Sequence, residues 1–461
     1  MINRIRPPPE LFDPGSSQGT PVQRNVLPYQ QQKLVAQVAV VVLALFAFLR
    51  PVAETQEQAG TLTISYEQAV FYSLQQHPRL AAYEFRRQAA AARTIQAGVG
   101  PRPELGVEIE DVAGTGNFNG TQNAQVTVGV GWVLQCDVID KRVQASRIQA
   151  SLIETEQQIA ALDVAADTAR YFLQALAQQE RLSLAQHAKR EARHGLEDIR
   201  RQVQAGKLPE AEASRARAEL ERRSLAAEDV EHEYIISKYQ LAAQWGDRHP
   251  RFSALKGSLA VPVATIDIAW LQEQVSNNPQ LTLFLNRDRI AEADIALAKA
   301  EAGIQWRIDA GIRRLEEVDD YSLVAGITIP LGRSNRNIAR VNALMAEQKR
   351  YQVEQSAQSI ALETQVYVMA QQLLHSRHVS EAFAHRIIPS LQRALADTRN
   401  AYQLGKYSYY ELAAAERDLI DARLSFLQAQ YSTRLYWIEI EKLTGLSLAQ
   451  PLPVSPPGYE K

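Results

Sequence analysis

The chain has 461 residues, 46% of them hydrophobic and 22% charged, with a formal net charge of −2. That length allows more than one domain, and a near-neutral balance without a basic block argues against a nucleic-acid partner. The single cysteine, Cys136, excludes an intramolecular disulfide and a cysteine-based metal cluster.

Residues 1–33 are rich in Pro, Gln, Gly and Ser and are predicted to be disordered. Residues 34–53 read as a signal-peptide-like segment. Lys33 precedes an apolar run from Leu34 to Leu49, interrupted only by Gln37, and small residues follow near Ala53. The run is short for a membrane-spanning helix, so export through the inner membrane is the expectation, with an uncleaved anchor as the alternative. No cysteine follows it, so lipoprotein processing is not indicated.

From residue 62 the chain repeats itself. His77-Pro78-Arg79-Leu80 is echoed by Asn278-Pro279-Gln280-Leu281, and Ala205-Gly206-Lys207 by Leu404-Gly405-Lys406. These echoes place a first structural repeat at 62–246, a linker at 247–264, a second repeat at 265–446 and a tail at 447–461. Each repeat is expected to run helix, β-hairpin, very long helix, glycine turn, shorter helix. A period of about 200 residues is too long for a solenoid and indicates a duplicated domain.

The hairpins are expected at 103–134 and 304–331. In the first, Leu105, Val107 and Ile109 alternate with Gly106, Glu108 and Glu110, and Val126, Val128, Val130 and Trp132 alternate with Gln125, Thr127, Gly129 and Gly131. In the second, Trp306, Ile308, Ala310 and Ile312 alternate with Arg307, Asp309, Gly311 and Arg313, followed after a polar turn by Leu323, Ala325, Ile327 and Ile329. Period-2 alternation in strands of this length suits a tilted transmembrane strand, with lipid on the apolar side and a lumen on the other. Four strands cannot close a barrel whose smallest form has about eight, so several copies must share one. The competing reading packs both hairpins on helices in water.

Lys141 to Gln204 contains no proline, and Ile148, Leu152, Thr155, Ile159, Leu162, Ala166, Ala169, Leu173 and Leu176 follow one another in 4-3 steps. That is a coiled-coil seam, and such a helix is a rod of roughly 95 Å. Its counterpart, from about Asn335 to Gln403, contains Pro389 as a candidate kink. Rods of this length suit the wall of a tube that continues the barrel, with Gly206 and Gly405 at its far end.

This duplicated plan resembles the TolC-like outer-membrane efflux proteins over essentially all of Ser65 to Ser447. Gly106-Val107-Glu108-Ile109-Glu110-Asp111-Val112-Ala113-Gly114-Thr115-Gly116, then Ala124-Gln125-Val126-Thr127, is similar to the first hairpin of the CzcC-type heavy-metal subfamily, as is Ile329-Pro330-Leu331 leading to Arg336-Asn337. One stretch departs from the pattern. Where such proteins carry Leu-Gly-Gly-Lys-Arg after the second strand, this chain has Cys136-Asp137-Val138-Ile139-Asp140-Lys141-Arg142.

The resemblance implies a mainly α protein with a small membrane β part. Four strands per chain would form a homotrimeric 12-stranded β-barrel in outer-membrane lipid, continued by an α-helical coiled-coil tunnel in the periplasm of a Gram-negative bacterium. It implies a passive exit duct for heavy-metal cations or other small solutes, delivered by an inner-membrane, proton-driven RND-type pump through a periplasmic adaptor (membrane fusion) protein. Neither enzymatic chemistry nor a cofactor is expected. In the family pattern a constriction lies beyond the glycine turns, which here implicates Tyr402, Glu411 and Glu212 in the periplasmic gate. The position nine after Gly405 is Ala414 instead of a second acid, and Arg215 takes the matching place in the first repeat. A ring of Glu411 would bring like charges together and favour cation passage or cation plugging; pairing with neighbouring arginines is the plainer role.

Gly206, Lys207, Gly405, Lys406 and Tyr407 are the expected adaptor contact, since aromatic side chains with polar ends suit interfaces. Packing within the trimer would serve them equally. Glu108, Glu110, Arg307, Asp309 and Arg313 fall on the lumen face, where mixed signs suggest a hydrated, salt-bridged lining more than a filter. His375, His378 and His385 share one stripe of the second long helix and, with His187 and His194 on the first, are the metal candidates, although solvated histidines are common on polar helices. No phosphate loop, His-Glu-x-x-His or Gly-x-Ser-x-Gly motif is present. Glu210, Glu212, Arg215, Arg217 and Glu219 read as a solvated helix face. Multidrug or protein export is the second reading of the duct, and a non-pore periplasmic coiled-coil scaffold is the reading from a different class.

Overall fold

The computed structural model describes residues 62–260, 266–330 and 337–446. The expected N-terminal segments at 1–33 and 34–53, the tail at 447–461, the end of the linker at 261–264, and Leu331 and Arg336 lie outside the described residues.

The chain opens with β1 (Thr63–Ser65), α1 (Tyr66–Gln76) and α2 (Pro78–Ala97), then β2 (Glu104–Glu110), β3 (Gln125–Leu134), α3 (Cys136–Gln204) and α4 (Glu210–Ala242). After β4 (Ala254–Lys256), the order recurs as α5 (Ile268–Gln274), α6 (Pro279–Glu301), β5 (Trp306–Leu315) and β6 (Asp320–Thr328). The second long helix follows as α7 (Ile338–Ala382), a π-helical segment at Phe383–Ile387 and α8 (Ile388–Gln403), and α9 (Tyr409–Thr444) ends the described chain. β1 and β4 pair in parallel, whereas β2, β3, β5 and β6 form one antiparallel sheet in that order.

The repeated His77-Pro78 and Asn278-Pro279 pairs are helix starts. His77 Nδ1 accepts from the Arg79 amide at 3.1 Å and Asn278 Oδ1 from the Gln280 amide at 2.8 Å, each with proline at the first helical position. A side-chain cap plus a residue with no N–H to satisfy is the standard solution at a helix N-terminus. Asn278 also donates to the Leu443 carbonyl at 2.8 Å, which ties the start of α6 to the end of α9.

α3 is longer than the heptad seam alone requires. It begins at Cys136, not near Lys141, and runs for 69 residues, roughly 100 Å. The missing glycine pair leaves nothing to break the helix there, and Asp137 places a negative charge in its first turn, where the helix dipole favours one. On the expected seam Thr155, Ala166, Ala169, Leu173 and Leu176 are buried. The second long helix departs from an α-helix ahead of Pro389. The proline ring would press on the carbonyl four residues back, that of His385, and the wider π turn at Phe383–Ile387 spans that position.

The cores lie in the helical body. Phe172, Leu176, Val70, Leu241, Trp245, Phe252 and Leu255 pack one cluster, in which β4 caps the side of α3. Leu271, Val275, Leu362, Val366, Ile440 and Leu443 pack a second among α5, α7 and α9. Each such side chain contributes about 1.5–3 kcal/mol on burial.

Candidate functional site: a two-faced sheet and paired helix tips

The register of the four-stranded sheet sorts its residues by face. Leu105, Val130, Ala310 and Ala325 form one row, Val107, Val128, Ile312 and Leu323 the next, and Trp132, Ile308 and Ile327 a third. All point to the same side, because side chains alternate along every strand and the antiparallel register keeps rows intact. This apolar face is open: Leu105 is 74% exposed and Leu323 88%. Among the described residues, no helix covers the sheet. The reading that packs the hairpins on helices in water is therefore not the arrangement found. Trp132 and Trp306 stand at the helix end of the apolar face and Tyr321 at the hairpin end, matching the aromatic girdles of membrane barrels.

The opposite face carries the charges named from sequence. Arg307 reaches Glu104 at 2.8 Å and Asp309 at 3.0 Å, and Arg313 reaches Glu110 at 2.9 Å, Thr127 at 2.9 Å and Gln125 at 3.0 Å. Glu108 lies in the Thr127–Arg313–Ser322 row. Among the described residues, neither outer edge of the sheet, β2 or β6, is paired. An edge left with bare backbone donors and acceptors calls for another strand. The two edges run antiparallel to each other, so β6 of one copy can pair with β2 of the next.

At the opposite end of the helical body, both glycine turns adopt one geometry. Gly206 has φ +73° and Gly405 φ +72°. Lys207 donates to the Gln202 carbonyl and Gly206 to Val203, all at 2.9 Å, and Lys406 and Gly405 do the same to Ala401 and Tyr402. These are Schellman closures of α3 and α8, whose left-handed residue favours glycine. An added Cβ would meet no atom within 4 Å at either position, so the requirement is conformational, not spatial. Lys207, Lys406 and Tyr407 are exposed at the tips.

The structure joins the two tips. Gln202 donates to the Tyr402 hydroxyl at 3.0 Å, and the Tyr402 ring sits edge-on to Tyr409 with centroids 6.5 Å apart. Burial raises the Tyr402 phenol and pushes that of Tyr409 up to about 12. Among the described residues, Glu411 is held by neither arginine nor lysine: its Oε2 accepts from the Ser408 amide at 2.6 Å and from the Ser408 hydroxyl at 3.0 Å, closing a capping box at the start of α9. Glu212 pairs with Arg215 at 2.9 Å, while its Oε2 is buried without a hydrogen-bond partner among the described residues.

Two features escape a reading of the sequence. Glu219 is not on a solvated face: it is 9% exposed, accepts from Arg223 at 2.9 Å and forms ion pairs with Arg222 at 2.7 Å and with Arg417 of α9 at 3.6 Å. Beside it, Arg399 of α8 bridges Glu416 at 3.1 Å and Glu191 of α3 at 3.5 Å, and burial raises the Glu416 carboxyl. The two arms are thus locked by ion pairs just inside their tips. Farther along α9, burial raises Glu441 to about 7, although the Trp437 indole donates to it at 2.6 Å. Helical charge spacing does not signal the cross-links between arms, because Arg417 and Glu219, like Arg399 and Glu191, lie about 200 residues apart.

His375, His378 and His385 are all exposed, and His385 falls in the π segment. Among the described residues no group of three or more His, Cys, Asp or Glu side chains is placed to hold a metal ion. Also among these residues, no helix is long and apolar enough to cross a membrane.

The sequence profile of the outer membrane efflux protein family matches residues 72–247. Over that stretch the chain is similar to outer membrane efflux proteins. The cobalt-zinc-cadmium resistance protein CzcC of Cupriavidus metallidurans is 24% identical over 395 residues, spanning 85% of this chain and 91% of that protein. Among solved structures, CusC, described through its transmembrane channel formation, aligns with TM-score 0.65 at 17% identity over 85% of this chain and 95% of its own. The Campylobacter jejuni CmeC outer membrane channel aligns with TM-score 0.62 at 13% identity over 85% of this chain and 90% of its own. These likenesses agree with the fold class expected from the sequence.

Proposed function

We propose that the protein is the outer-membrane duct of a tripartite efflux system, with three copies sharing one barrel and a helical tunnel leading to it from the periplasm. The observation that carries this reading is the four-stranded sheet: an open apolar face, a charged opposite face and two unpaired edges. Strands of 7 to 10 residues, tilted, approach the span of a hydrocarbon core. Closure by repetition of one chain leaves no bare edge. The protein performs no bond chemistry; it supplies a path.

The cargo we assign is heavy-metal cations, on the likeness to a cobalt-zinc-cadmium resistance protein. An inner-membrane, proton-driven pump of the RND type would deliver them through a periplasmic adaptor docked at the tips around Gly206, Lys207, Gly405, Lys406 and Tyr407. Tyr402, Glu411 and Glu212, close behind those turns, would form the periplasmic gate.

The test is growth of a deletion strain on cobalt, zinc and cadmium salts and, in parallel, on a panel of drugs. Sensitivity to the metals, reversed by the wild-type gene, is the expected result. Sensitivity confined to drugs would redirect the cargo assignment while leaving the duct in place.

A further inference from the structure

The lumen face is not electrically balanced, and Glu108 stands in the middle of β2 on that face. Five carboxylates point to that face, Glu104, Glu108, Glu110, Asp309 and Asp320, against two guanidiniums, Arg307 and Arg313. Arg307 is shared by Glu104 and Asp309, and Arg313 is taken by Glu110 with Thr127 and Gln125 as further acceptors. Asp320 stands at the hairpin end, where it accepts from the Tyr321 amide at 3.3 Å. Glu108 is in the middle of β2 and, among the described residues, engages in neither a hydrogen bond nor an ion pair.

The strand that a neighbouring copy would set beside Glu108 adds no basic side chain on that face. β2 is an edge strand, so the strand beside Glu108 in a closed barrel is β6 of the next chain. The lumen-facing residues of β6 are Asp320, Ser322, Val324, Gly326 and Thr328, none of them basic. Whatever register joins β6 to β2, no lysine or arginine from that strand reaches Glu108.

We infer that Glu108 is a specificity-determining residue of the duct, an uncompensated carboxylate repeated around the barrel that draws cations into the lumen and holds anions back. The inference rests on the duct reading and deepens it by naming the side chain that selects charge. Confinement in low-dielectric walls focuses the field of such a ring and raises the local concentration of counter-ions. The preference is for charge sign only, since no ligand cage surrounds Glu108.

The experiment reads the lumen potential without requiring the periplasmic gate to open. In a Cys136→Ser background, Val324→Cys places a thiol on the lumen face one row from Glu108, and intact cells are treated from outside with membrane-impermeant methanethiosulfonates, one cationic and one anionic. With rates normalised to a free thiol, the cationic reagent should modify the introduced thiol several-fold faster than the anionic one. Adding Glu108→Gln should cut that ratio by about twofold or more, as expected for removing one charge per copy within a Debye length, and Glu108→Asp should preserve it. Equal normalised rates, or a ratio untouched by Glu108→Gln, would overturn the inference and leave the duct standing. If neither reagent reaches the introduced thiol, there is no water-filled lumen, and the duct reading falls together with the inference.

Discussion

The four-stranded sheet and the helical body use apolar side chains in opposite ways. In the body, Phe172, Leu241 and Ile440 are almost fully enclosed by neighbours from the same chain. In the sheet, Leu105, Val107, Ile312, Leu323 and Ile327 sit in coherent rows with nothing over them among the described residues. A body that folds around its own core is written for water. A sheet that turns its apolar face outward suits lipid, because exposure on this scale in water would be a liability for aggregation. The junction falls where β3 gives way to α3 at Cys136 and where α6 gives way to β5 at Trp306, so tryptophans stand at the boundary between the two regions.

The sharpest way to break the comparison is to put one charge on each region. Leu323→Arg introduces a cation on the outward face of β6, at a cost of about 2–4 kcal/mol per copy near a bilayer midplane. We expect it to abolish outer-membrane recovery in cell fractionation, whereas Ser322→Arg, on the opposite face, should leave recovery intact. The body should respond to lost volume instead. Phe172→Ala empties part of the first core and should cost about 3–5 kcal/mol, seen as a lowered melting temperature of the detergent-solubilised protein.

The body should also carry a pH signature. Glu441 is raised to about 7 by burial, against an ordinary value of 4.5, with Arg434 and Trp437 opposing the rise and Tyr66 close by. A carboxyl raised in the fold binds its proton more tightly there than in the unfolded chain. Its contribution is therefore fully present below about 4.5 and is lost as pH rises through about 7. The loss should be roughly 3 kcal/mol at most, and Glu441→Gln should flatten the fall of melting temperature between about pH 5 and 8. The smallest effect belongs to the tips. Gly405→Ala forces a Cβ into left-handed backbone for about 1–2 kcal/mol, and Gly206→Ala should match it, since both turns share one geometry. Limited proteolysis at Lys207 and Lys406 would report the loosened closures.

How far the sequence discloses this molecule depends on whether the partner is near or far along the chain. The strands are legible because alternation is local, and their period alone sorts Leu105, Val107 and Ile109 from Glu108 and Glu110. The seam of α3 and the turns at Gly206 and Gly405 are legible for the same reason. The start of α3 at Cys136 is not, since the missing glycine pair removes a signal without supplying one. The π segment ahead of Pro389 is hidden because a proline announces strain but not how the preceding turn absorbs it. Glu219 and Arg399 are misread or missed because a charge at helical spacing looks alike whether water or a second helix faces it. The pairing of the hairpins into one sheet is a contact between residues about 200 apart, as in Gly129 beside Gly311.

The central claim is that several copies complete one barrel, and the most direct measurement is the mass of the unheated, detergent-solubilised protein recovered from isolated outer membranes. A heat-sensitive species of about three chains is the predicted result, collapsing to one chain on boiling. A monomer confined to the soluble periplasmic fraction would contradict the account, and the open apolar face of the sheet would then need a cover of another kind.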